Sequence, residues 1–238
     1  IRDRSPSRGL GDVYKRQLHN CAVVTHQGYL LGRIAIDDVL DVIREEHDKE
    51  LLRSQGLGDD TDLFAPAKTT AKQRLPWLII NLGTAILASA VIALFEDQIA
   101  KLVVLAVLMP IIASMGGNAG MQTLTIMVRG LAFNQITWGN VWYLLKKEIS
   151  VGSFNGLFLG IGLGIGTMFI YQNILLGLVI ALATIGNHLL AAVAGHLIPF
   201  ALHKLGRDPA VSGSIILTTF TDVGGFFLFL GLAGLILL

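Results

Sequence analysis

Asp222 is the only charged side chain between Pro209 and Leu238, in a stretch that otherwise has the composition of a membrane span, VSGSIILTTFTDVGGFFLFLGLAGLIL. A carboxylate in mid-bilayer costs several kcal/mol or more unless it faces water, an ion or a partner. It is therefore a functional-site candidate. A second polar centre lies in MPIIASMGGNAGMQTLTIMVRG, which begins at Met109. Gly116 and Gly117 are expected to weaken a membrane helix there and let backbone carbonyls turn aside. Exposed backbone at that depth is tolerated only beside protein or water. Asn118, Gln122, Thr123 and Thr125 add further oxygens. Oxygen donors suit a hard, reluctantly dehydrated cation such as Mg2+. The plainer reading is that these glycines and amides pack helices and hydrogen-bond between them.

The spacing of the other polar residues sharpens this. Thr218 stands four residues before Asp222, on the same helix face. Asp208 precedes Pro209 and reads as an N-cap followed by an N1 proline. The step from Asp208 to Asp222 is about 21 Å along a helix axis and returns within roughly 40° of the same face. One face would then carry a carboxylate at the mouth and another near mid-membrane. Asn118 is also near the middle of its span, so the two polar centres lie at similar depth, as a pore built from two helices requires. His188 and His196 could relay protons, although buried histidines are more often neutral and hydrogen-bonded. Nearer the N-terminus, Asp38, Asp41 and Glu45 fall three or four apart on one helix face, with Glu46 and Glu50 beyond. That pattern suits a solvated face or a divalent-ion site. No zinc-protease, acyl-transfer or P-loop spacing is present, so no catalytic residue is expected.

The elements that must hold these residues are membrane helices. The chain is 53% hydrophobic and only 15% charged, with a mean hydropathy of +0.65, outside the range of a soluble domain. Val151 to His203 contains no Asp, Glu, Lys or Arg. A span needs about 20 apolar residues, which predicts helices over 76–95, 102–129, 150–171, 174–202 and 209–237. The second should be interrupted at Pro110 and Gly116-Gly117. The third carries Gly152, Gly156, Gly160 and Gly164, a stripe that lets helix backbones approach closely. Apart from Asp222, the acids of this region lie at span ends. With the N-terminus in the cytoplasm, the inner flanks hold Lys68, Lys72, Arg74, Arg129, Lys146, Lys147, Lys204 and Arg207, against Lys101 outside. This bias orients the chain with its C-terminus outside. The net charge of +1 gives no reason to expect nucleic acid, and the single cysteine, Cys21, excludes an internal disulfide.

Residues 1–17 match nothing that follows and are expected to be foreign sequence. In 18–46, CAVVTHQGYLLGRIAI reads as strand, turn, strand, and DDVLDVIREE opens a helix. So short a segment cannot bury a core alone and looks like the tail of a larger domain. Residues 47–75 read as a connecting helix and linker, and 76–238 as a five-helix pore domain. The expected fold is an all-α membrane protein preceded by a truncated α/β tail.

These motifs resemble the MgtE family of Mg2+ channels, most closely in MPIIASMGGNAGMQTLTIMVRG, LKKEISVGSFNG and DPAVSGSIILTTFTD. The resemblance covers residues 21–238. It implies a homodimer in the bacterial inner membrane, with a pore lined by the second and fifth spans. Its ion-site carboxylate falls on Asp222, and its second-span stretch on Gly116, Gly117 and Asn118. Residues 18–46 resemble the end of a second CBS domain. In that family CBS domains bind regulatory Mg2+; the matching acids are Asp38, Asp41, Glu46 and Glu50, with Asp208 near the cytoplasmic mouth. Ala35 stands where the CBS nucleotide pattern has Thr or Ser, which argues against nucleotide binding in this half. The expectation is a channel for Mg2+; the alternative is a proton- or ion-coupled carrier of Mg2+ or Co2+.

Overall fold

A computed structural model describes residues 20–54, 56–58 and 62–238. The expectation for residues 1–17 lies outside the described residues. The chain divides into two compact units, one reaching Arg53 and the other carrying the helices from residue 61 to the C-terminus.

In the first unit, β1 (Asn20–Val24) pairs antiparallel with β2 (Leu30–Ala35). The turn between them closes with Gly28 at φ +90°, a conformation that favours glycine. Thr25 N donates to Tyr29 O at 2.8 Å, and Tyr29 N to Thr25 Oγ1 at 3.1 Å. Helix α1 (Ile36–Ser54) follows directly and runs without a break past residue 46. Asp38 in its first turn accepts from Ala35 N at 2.9 Å, satisfying one of the N–H groups a helix start leaves free. Tyr29, Leu30, Leu31, Val42 and Ile43 remain exposed, because two strands and one helix offer little to bury them against.

The second unit contains α2 (Ala67–Ala93), the short α3 (Glu96–Lys101), α4 (Val104–Ala132), α5 (Val141–Tyr171), α6 (Ile174–Lys204) and α7 (Pro209–Ile236). All but α3 are long and apolar enough to cross a membrane. The chain is a multi-pass membrane protein. Helix α6 lies at the centre, packed against α4, α5 and α7. Half of its apolar stretch is buried, against 6% for the peripheral α2. The core joins Leu105 and Ile112 of α4 to Val179 and Ile180 of α6 and to Phe229 and Leu230 of α7.

Two sequence expectations change. Helices α2 and α5 begin about nine residues before the predicted spans, because polar helix formers such as Lys68, Lys72, Lys146 and Lys147 continue the helix beyond the apolar stretch. Helix α4 is also unbroken at Pro110 and Gly116-Gly117. The space opened by its glycines is filled by neighbouring side chains instead of by unwinding. An added Cβ at Gly116 would collide with the Asn187 amide, and one at Gly120 would lie 3.0 Å from Leu217.

The glycine stripe of α5 does what its spacing predicts. An added Cβ at Gly152 would sit 3.0 Å from His188 O, at Gly160 2.8 Å from Ala181 O, and at Gly164 2.7 Å from Gly177 O. Backbone therefore meets backbone between α5 and α6. Their connection is tight: Gln172 takes a left-handed conformation (φ 52°), and Asn173 caps α6 by accepting from Leu176 N at 3.0 Å.

Candidate ion site

Asp222 sits partly buried in the middle of α7. Among the described residues its carboxylate has no hydrogen bond and no ion pair. The hydroxyls around it are turned inward on their own helix. Thr218 Oγ1 lies 3.0 Å from Ser214 O, and Thr221 Oγ1 3.0 Å from Thr218 O. A carbonyl can only accept, so each hydroxyl spends its proton there and keeps its lone pairs. The threonine hydroxyls nearest Asp222 in sequence are thus engaged on their own helix.

Helix α4 meets α7 at this level. A Cβ added at Gly117 would lie 4.0 Å from Thr221 Oγ1. Asn118, the next residue, is exposed. Gly116 lies on a different side, against α6, where it makes room for Asn187. That asparagine is buried and donates from Nδ2 to Ile112 O at 2.9 Å. It also touches α7, since an added Cβ at Gly225 would come within 2.7 Å of Nδ2. Asn187 is thus a wedge that sets the spacing of α4 and α7, and sequence reading had not singled it out.

Asp208 is exposed and caps α7, its Oδ1 accepting from Ala210 N at 2.8 Å. Asp208→Ala should cost about 1 kcal/mol of stability, and Asp208→Asn, which retains an acceptor, much less. Thermal unfolding of the two variants checks this. On α1, Asp41 lies 3.8 Å from Arg44, and Lys49 pairs with Glu45 at 2.9 Å and with Glu46 at 3.6 Å. The Glu45 hydrogen bond holds the Lys49 pKa above its ordinary value. Asp38 is engaged at the helix start, and the Glu50 side chain lies outside the described residues.

Residues 109–232 match the family model described as MgtE, divalent cation transporter. The chain belongs to the MgtE family. Proteins described as magnesium transporter MgtE from Bacillus subtilis (strain 168) and Enterococcus faecalis are similar to it. The first is 31% identical over 211 residues, 89% of this chain and 47% of the relative. The second is 32% identical over 213 residues, 90% of this chain and 47% of the relative. The chain therefore spans about half the length of the curated relatives it matches. MgtE is a family of transporters, in agreement with the expectation that the chain is not an enzyme. The matched stretch contains Gly116, Gly117, Asn118, Asp208, Thr218 and Asp222 together.

It also contains Glu148, which reads in the sequence as part of a charged flank. Helix α5 instead carries it inside, 8% exposed, with Thr123 Oγ1 3.1 Å from its Oε2. A signal for it exists, because Glu148 continues the four-residue spacing of Gly152, Gly156, Gly160 and Gly164 by one step. The two histidines of α6 are buried and bonded to backbone: His188 Nδ1 to Thr184 O at 2.8 Å, His196 Nε2 to Val141 O at 3.0 Å. Among the described residues no three His, Cys, Asp or Glu side chains converge.

Proposed function

We propose that the chain is the transmembrane part of a Mg2+-selective channel that takes up magnesium across the bacterial inner membrane. The observation that carries this reading is the unpartnered Asp222 carboxylate at the level where α7 meets Gly117 of α4. The relatives' description as magnesium transporters supports the choice of ion. Asp222 attracts the ion and orients its water shell; Asn118 and the Thr218 hydroxyl contribute oxygens beside it. One carboxylate with neutral oxygens suits an ion that keeps much of its water, as Mg2+ does. Asn118 is exposed on α4, and a second copy of the chain would enclose it, forming a homodimeric pore lined by α4 and α7. The lysine and arginine bias supports a cytoplasmic N-terminus.

The exposed apolar side chains of β1, β2 and α1 support the reading of 18–46 as part of a CBS domain. Asp38, Asp41, Glu46 and Glu50 would there bind regulatory Mg2+ and Asp208 would attract ions at the inner mouth. An inside-negative potential supplies about 2.3 kcal/mol per charge per 100 mV, enough to drive a dication inward without a coupled ion. In liposomes holding the chain and a pH-sensitive dye, an imposed voltage should therefore carry Mg2+ inward with no matching proton movement. A fixed ratio of protons to Mg2+ would refute the channel reading.

A further inference from the structure

A cavity of about 80 Å³ between α4, α5 and α6 holds a carboxylate that the pore reading does not use. Glu148 is more than nine-tenths buried there. Its near partners are few. Thr123 Oγ1 lies 3.1 Å from Oε2. Lys147 Nζ lies 3.9 Å from Oε1, beyond hydrogen-bond distance, on a side chain that is 59% exposed. One neutral hydrogen bond and one distant ammonium leave much of a buried carboxylate's charge uncompensated. The other polar side chains lining the cavity are Gln122, Asn155 and His188. His188 Nδ1 faces Thr184 O at 2.8 Å. Since a carbonyl only accepts, Nδ1 donates this bond. The cavity brings one carboxylate together with the Thr123 hydroxyl and the side-chain amides of Gln122 and Asn155.

We infer that this cavity binds one small alkali cation, with Glu148 as the charged ligand and Thr123, Gln122 and Asn155 as neutral oxygen donors. A single carboxylate balances a single positive charge. A Mg2+ ion gives up its waters reluctantly, whereas an alkali ion exchanges its shell readily for protein oxygens. Such an ion would tie α4 to α5 through Thr123 and Glu148, away from the seam at Asp222.

The test is thermal unfolding of the purified chain in detergent, at fixed pH and ionic strength, with sodium chloride replacing choline chloride. Ligand binding to the folded state alone raises the midpoint. The wild type should unfold several degrees higher in sodium, and Glu148→Gln should lose that rise. Asn155→Leu, at an exposed position on the cavity rim, should reduce it and serves if the Glu148 variant does not fold. Equal wild-type midpoints in sodium and choline would overturn the inference. So would a sodium effect that survives Glu148→Gln, or a midpoint that moves with pH but not with sodium.

Discussion

Asp222→Ala is expected to abolish Mg2+ uptake while leaving the fold at least as stable as the wild type. Growth of a magnesium-import-deficient strain measures the first effect and thermal unfolding the second. The two halves of this expectation share one cause. Asp222 has no hydrogen bond or ion pair within the chain among the described residues, so its removal deletes no protein contact. It does delete the only charge on α7 beyond its cap at Asp208. Holding a charge near mid-bilayer costs about 3 kcal/mol, a penalty that removing the carboxylate relieves. If the carboxylate were instead a structural hydrogen-bonding group, the order would reverse. The variant would then melt earlier and lose uptake only in proportion to the protein lost.

The second large effect concerns α5. Gly164→Leu should prevent the helices from assembling, and Gly164→Ala should destabilise by about 1–3 kcal/mol. The Cβ of either residue would fall 2.7 Å from Gly177 O, and the opposite contact, from a Cβ at Gly177 to Gly164 O, is 2.6 Å. These neighbours are backbone and cannot rotate away, so α5 and α6 would have to separate. Gly162 provides a control in the same helix. An added Cβ there meets nothing within 4 Å. Gly162→Ala should be neutral or stabilising, because alanine favours a helix by up to about 1 kcal/mol over glycine. Opposite signs two residues apart, read by thermal unfolding, would separate packing from helix propensity. A destabilisation of the same size at both positions would contradict the stripe's role.

Much of this arrangement was legible in the residues. The five spans follow from composition, and the stripe from Gly152 to Gly164 follows from its four-residue period. Asp222 stood out because nothing else near it is charged. Three features were not legible, for physical reasons. Gly116 and Gly117 predicted a break, yet glycine in a helix marks equally a place where another chain segment comes close, and only the partner decides. That partner, Asn187, lies some seventy residues away in sequence, with its Nδ2 bonded to Ile112 O. Glu148 was hidden by Lys146 and Lys147, since a charged run resembles the end of a span. Whether one member of such a run points inward depends on the helix's rotation, which the packing of the glycine stripe sets.

Single-channel recording of wild type and Asp222→Asn, with Mg2+ as the main charge carrier, tests the central claim most directly. The substitution removes the charge and keeps the shape. The wild type should pass Mg2+ current, and Asp222→Asn should pass little or none while remaining folded. Mg2+ currents of equal size from the two proteins would contradict the assignment of Asp222 as the ion-attracting residue.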